Sequence, residues 1–264
     1  MTHTHGGPEQ DLHYHYLIKY DNMVKTYVLG MLAAMLALVS CSTGYMVQGN
    51  STIQSMDGRK MYLKAYGQND LVSIDSCDVL HGKFSFSGTL DSVMMVTLFM
   101  DNECLMPLVL GPEELTVQID NARQYVTGSA LNDTLYSFIQ LKTRIDNALA
   151  ELPHKESRMI MDGVDEDLII LRLSDEADRL AIQNDRLVTD FITQNFDNVL
   201  GWGVFMIITS TFPYPVLTPQ IEEIMTKATP YFKNNAYVRN YMKAARENME
   251  QMGYTYEQPA DSIQ

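Results

Sequence analysis

Apolar residues in the first half of the chain recur with a period of two, in short runs separated by turn-forming residues. Residues 60–66 (KMYLKAY) carry β-type aromatics and end at Gly67-Gln68-Asn69-Asp70. Residues 83–88 alternate strictly, which puts Phe84 and Phe86 on one face of a strand. Residues 92–100 and 106–110 are mostly apolar, and residues 115–120 alternate again with Leu115, Val117 and Ile119 inward. Asp57-Gly58, His81-Gly82 and Gly111-Pro112 supply tight turns. From Asn132 the period lengthens. Leu135, Phe138, Ile139, Ile145 and Leu149 form one helical stripe with Lys142 at its edge, and residues 165–196 carry a second, longer one. Residues 199–212 are an apolar run too short to span a bilayer, so a buried helix is expected there, broken by Pro213-Tyr214-Pro215. Thr218-Pro219 opens a further helix, and residues 236–252 form the last, stopped by Gly253. The pattern predicts an α+β protein: an N-terminal antiparallel β-sandwich or barrel followed by a C-terminal helical region.

One apolar run belongs to neither half. Residues 23–41 read MVKTYVLGMLAAMLALVSC: Lys25 gives a short positive start, and residues 27–39 are uncharged. A bilayer span needs about 20 apolar residues, whereas a signal-peptide core needs fewer, so a signal peptide is expected. Its end, Leu38-Val39-Ser40-Cys41, resembles a bacterial lipobox. That resemblance implies that the Cys41 thiol is joined to diacylglycerol and that the chain is cut just before it. It implies a lipid-anchored protein of the cell envelope, with the membrane and an envelope protein as partners; Ser42-Thr43-Gly44-Tyr45 carry no acidic run to signal surface export, so a periplasm-facing location is expected. Residues 1–22 hold four of the six histidines, but Met23 is the natural start of a signal peptide, so a start-site misassignment, or removal of the segment with the signal, is expected there. The expected organisation is 1–22 outside the working protein, 23–40 signal peptide, 41–131 β-sandwich, 132–253 helical region and 254–264 tail.

Charge and composition narrow the chemistry. Nineteen Lys and Arg stand against 33 Asp and Glu in 264 residues, for a net charge of −14, so nucleic acid is not an expected partner. The densest acidic group, residues 162–178, reads as a solvated helix face and its cap. With Cys41 acylated, Cys77 and Cys104 are the cysteines left; an envelope location permits a disulfide between them, and two buried free thiols are the other reading. His81 falls in a turn, and His154 follows Pro153 in an expected loop. A Ser–His–Asp triad is recognised by geometry rather than by order, but no Gly-x-Ser-x-Gly elbow, phosphate-binding Gly loop, dinucleotide fingerprint or His-Glu-x-x-His is present. No catalytic residue, metal site or cofactor is therefore expected. Tyr62, Tyr66, Tyr125, Tyr214, Tyr254 and Tyr256 are potential platforms for a sugar ring, with core or rim packing as the default.

Several blocks of the strand half resemble one known family. Ile74-Asp75-Ser76-Cys77-Asp78-Val79 followed by Gly82-Lys83-Phe84-Ser85-Phe86-Ser87-Gly88 is similar to the core of domain of unknown function 4369. So are residues 108–112 with Leu115-Thr116-Val117, and Val126-Thr127-Gly128-Ser129-Ala130-Leu131-Asn132 resembles that domain's exit into a helix. In the family this domain commonly precedes a thioredoxin-like domain in envelope thiol–disulfide interchange lipoproteins. Such a domain carries Trp-Cys-x-x-Cys; here no Cys-x-x-Cys exists, and the sole tryptophan, Trp202, sits between Gly201 and Gly203. Residues 258–262 are similar to the start of the thioredoxin-like part. The resemblance implies a non-catalytic binding or scaffolding module. Its alternative is an accessory or truncated front part of a thiol–disulfide interchange system, whose chemistry would need paired thiols this chain lacks.

Overall fold

The computed structural model describes residues 43–67 and 70–253. Cys41 and the lipobox residues Leu38, Val39 and Ser40 lie outside the described residues. The strands are β1 (Thr43–Ser51), β2 (Lys60–Tyr66), β3 (Leu71–Asp78), β4 (Lys83–Leu90), β5 (Met94–Met100), β6 (Glu103–Leu110), β7 (Glu114–Ile119) and β8 (Gln124–Thr127). They form two four-stranded sheets, ordered β4-β1-β7-β8 and β3-β2-β5-β6. The expected α+β sandwich is thus observed, with one departure from purely antiparallel pairing: β1 and β7 run parallel, Val47 opposite Leu115. The chain leaves the first sheet after β1 and returns to that strand's free side only after building the β5–β6 hairpin, so β7 arrives in β1's own direction.

Alternation explains the sandwich core. Tyr45, Val47, Phe84, Phe86, Leu115, Val117 and Ile119 are buried, and the residues between them on β1 and β4 are mostly exposed. The second sheet is different. Met95 and Val96, adjacent on β5, are each 1% exposed, so β5 is covered on both faces. Its second cover is helical. β3 and β8 escape the apolar pattern because β3 is mostly exposed, with only Ser-x-Asp-x-Cys polarity along it, and β8 has four residues. His81 and Gly82 at positive φ (52° and 72°) form the two-residue turn between β3 and β4, where Leu80 and Lys83 exchange backbone bonds of 2.8 and 3.0 Å.

The helices are α1 (Ala130–Ala150), α2 (Leu152–Met161), α3 (Glu166–Gln194), α4 (Val199–Thr209), α5 (Pro219–Lys227), α6 (Pro230–Asn234) and α7 (Ala236–Gln251). Ser129, Asp165, Asn198, Thr218, Thr229 and Asn235 each accept a backbone N–H at a helix start. The segment around Pro153 is a helix, not the expected loop. The proline lies in the first turn of α2, where its missing N–H leaves no bond unmade, and His154 is therefore helical. The apolar run from Val199 ends as helix at Thr209, because the Ser210 and Thr211 hydroxyls donate to the carbonyls of Ile207 (2.8 Å) and Ile208 (2.7 Å).

Asn132 joins the two halves. Fully buried on the first turn of α1, its Nδ2 donates to the Val109 carbonyl (2.8 Å) and its Oδ1 accepts from the Val109 N–H (2.9 Å). The amide thus closes the free edge of β6 as a neighbouring strand would. One turn on, the Tyr136 hydroxyl donates to the Pro107 carbonyl (2.9 Å), and Pro107 itself offers no N–H. Burial holds the Tyr136 phenol well above its usual range. The core then runs without a break from the sandwich through Leu135, Phe138, Val188, Ile192, Phe205 and Phe232. Beyond Phe138 on α1 and Val188 on α3, α2 pairs with the first half of α3, where Lys155 meets Glu176, as a helical arm.

Candidate functional site

The two thiols do not meet. Cys77 lies on β3 and Cys104 on β6, the outer strands of one sheet. Cys77 faces Met61, Met61 faces Met100, and Met100 faces Glu103, the neighbour of Cys104. Three strand spacings separate them, about 14 Å, where a disulfide needs Cα atoms within about 7 Å. Both cysteines are free, and the bridge allowed by their number is not formed. Neither is the buried thiol of the other reading, since Cys77 is half-buried and Cys104 exposed; partial burial still raises both, and Cys77, beside Asp75 and Asp78, is pushed up to about 11. That is the wrong direction for an attacking thiolate.

A more tempting cluster sits where β1 leaves its sheet. Ser51, Asp57 and His81 line one shallow hollow of 400 Å³. The Ser51 hydroxyl, however, donates to the Met56 Sδ (3.1 Å) and accepts from the Ile53 N–H (3.1 Å). Asp57 accepts from the Gly82 N–H (3.4 Å). Among the described residues no hydrogen bond links His81 to either, so base and nucleophile are not coupled. Likewise, among the described residues no three His, Cys, Asp or Glu side chains gather to hold a metal ion. No described helix is long and apolar enough to cross a membrane.

A cleft lined by aromatic rings lies at the seam of the two halves. It measures 310 Å³ and is lined by the end of β2 (Tyr66), by the turn into β5 and its first residue (Ser92, Val93, Met94), and by Trp202, Tyr231, Tyr237 and the cap residue Asn235 of the helical half. Its geometry starts with glycines. An added Cβ on Gly203 would stand 3.0 Å from Met95 Cγ, and one on Gly201 would strike the Asn195 carbonyl. α4 can therefore press against β5, which leaves Trp202 beside the cleft. Tyr237 is held on three sides: edge to face with Tyr66 at 4.8 Å, edge to face with Phe205 at 6.4 Å, and stacked on Tyr241 at 6.3 Å. Its hydroxyl shares a 2.9 Å bond with Thr209, and burial raises its pKa above the ordinary phenol value. Asn235 caps α7 through Tyr237 N–H (2.9 Å), which fixes the cleft's polar rim. Tyr231 is 53% exposed, an open ring at the mouth.

None of the described residues lining this cleft is charged. Rings that are rigid at the base and open at the mouth, with hydroxyl and amide groups at the rim, suit an uncharged ligand with a flat or weakly polar face. Of the tyrosines singled out as platforms, Tyr66 belongs to the site; Tyr62 instead lies under the Lys64 ammonium (5.6 Å), Tyr125 faces Arg123 (5.3 Å), and Tyr214 stands in the Pro213–Pro215 turn, which is not part of the cleft. Tyr254 and Tyr256 lie outside the described residues. Trp202, Tyr231 and Tyr237 were not legible as ligand contacts. The one hint was glycine on both sides of the single tryptophan inside an apolar helix.

Sandwich, clamp and seam together define a strand domain sealed at one edge by the helix that follows it. Residues 45–135 match the family described as Domain of unknown function (DUF4369), and this segment is a DUF4369-like domain. The matched stretch starts in β1 and stops just past Asn132, so it contains the clamp on β6. No curated protein and no solved structure matches the chain. The residues that carry the resemblance are structural. Asp75 accepts from the Tyr45 hydroxyl (3.0 Å), Phe84 and Phe86 fill the core, Ser129 caps α1 and Asn132 closes the sheet.

Proposed function

We propose that this chain is a non-catalytic binding module of the bacterial cell envelope, anchored through lipid on Cys41, which presents the seam cleft to an uncharged, ring-bearing ligand. The observation that carries the binding part is a cleft lined by Tyr66, Trp202, Tyr231 and Tyr237, with no charged side chain among the described residues that line it. The anchoring part rests on the lipobox resemblance of residues 38–41. Two or three acyl chains are enough for lasting attachment, where one is marginal. A non-catalytic role accords with the uncoupled Ser51, Asp57 and His81 and with thiols held in the protonated form.

Because Trp202 is the only tryptophan, its fluorescence reads the cleft directly. Titration with neutral oligosaccharides and with short aromatic peptides is expected to give a saturable change with one of them, lost in Tyr231→Ala. A flat signal with both classes overturns the reading. Fatty-acid labelling of the protein in cells, abolished in Cys41→Ala, tests the anchor separately; an unlabelled wild-type protein would refute it.

A further inference from the structure

We propose that the helical arm is a self-association surface, on which a second copy of the chain lies antiparallel. Along residues 139–187 only Ile145 and Ile169 are buried. At the arm's tip Ile160 is 62% exposed, Met161 78%, Ile170 58% and Leu171 66%. Two helices cannot cover an apolar surface of this kind; bundles do so with four. Nearer the base, α1 and α3 diverge to leave a groove of 420 Å³ lined by Leu141, Arg144, Ile145, Leu180, Gln183 and Leu187. Each arm therefore carries a knob at its tip and a groove at its base.

Charge selects the orientation. Asp162, Asp165, Glu166 and Asp167 crowd the tip, whereas Arg144 lines the groove, and Arg179 and Arg186 adjoin its lining residues Leu180 and Leu187 in sequence. Arg144 and Arg186 take part in no ion pair among the described residues. On α3, Leu168, Arg172, Asp175, Arg179, Gln183 and Arg186 follow one another at spacings of three and four, so they share a flank with the groove. An antiparallel pair sets each tip's leucines and acids against the other copy's groove and arginines, while Asp175 near the two-fold axis stays paired with Arg179 of its own helix (3.2 Å). A parallel pair would put eight tip carboxylates together. The stretch of α3 from Glu166 to Val188 is about 33 Å long at 1.5 Å per residue. A side-by-side contact of that length buries about 800 Å² per copy, the size of a stable isologous interface.

Sedimentation velocity of the full chain at about 50 μM, in a density-matched non-ionic detergent that hides any micelle, tests this. A dimer is expected, weakened at least tenfold in Leu168→Asp/Leu171→Asp and equally in Arg144→Glu/Arg186→Glu. Adding Glu166→Lys/Asp167→Lys to the second pair restores it, with far-UV circular dichroism unchanged in every variant. A monomer at all concentrations, or a dimer indifferent to the arginine reversals, overturns the proposal. So does a reversal at the groove that the reversal at the tip fails to compensate.

Discussion

The two ends of α1 show how differently one helical pattern can be used. In its first nine residues Asn132, Leu135, Tyr136 and Phe138 are all buried against β6 and α3; in its remaining twelve only Ile145 is. The apolar period is the same throughout. What changes is the opposing surface: a sheet edge and a hydrophobic core at one end, a single half-exposed helix at the other. Periodicity assigns a face to an element, and the surroundings decide whether that face carries stability.

The sharpest way to break this comparison is at Asn132. Asn132→Ala leaves the Val109 N–H and C=O buried without partners, at about 1–3 kcal/mol for each unsatisfied group. We expect a loss of about 3 kcal/mol in urea denaturation. A loss below about 1 kcal/mol would mean that the amide does not hold the two halves together. Gly128→Ala comes next. Gly128 sits at φ +111°, and a side chain there meets the Glu114 carbonyl. About 2 kcal/mol is expected from backbone strain and the clash, again as a shift in urea midpoint.

A third effect is set by pH. Burial and the Asp75 carboxylate raise Tyr45 from 10 to about 12, and burial raises Cys77 from 9 to about 11. Both groups hold their protons longer folded than unfolded. Their stabilisation is therefore complete below the unfolded values and fades as pH climbs from about 9 to about 12. The urea midpoint should fall across that window, and Tyr45→Phe should flatten its upper part. A midpoint that rises with alkali would contradict the assignment.

The strands of the core were legible because burial on one face writes itself as alternation: Phe84 with Phe86, and Leu115 with Val117 and Ile119. β3 was not, since a mostly exposed strand leaves no such trace. Nor was α2, whose opening Leu-Pro-His looks like a break unless proline is placed in a first turn. The parallel β1–β7 pair depends on the order in which the sheets are built, which local sequence does not encode. The cleft was least legible of all. Its rings come from β2, α4, α6 and α7, and tertiary contacts such as Gly203 on Met95 and Tyr237 on Tyr66 bring them together.

The smallest effect belongs to the far end of the arm, and it separates the two uses of α1 most finely. Ile160 and Met161 are 62% and 78% exposed, so Ile160→Ser or Met161→Ser removes little buried surface. In dilute, monomeric protein such changes should shift stability by no more than about 0.5 kcal/mol. Hydrogen exchange ought to show the same gradient within one helix. Amides near Tyr136 and Phe138 open only with the whole molecule, because the sheet and core hold that turn. Those of α2 and of α3 before Leu180 open locally, since Ile169 is the one buried residue there. If protection in α2 equals that around Tyr136 in the monomer, the arm is held by more than its own thin seam. If protection in α2 instead rises with protein concentration while that around Tyr136 stays fixed, the added cover comes from a second molecule.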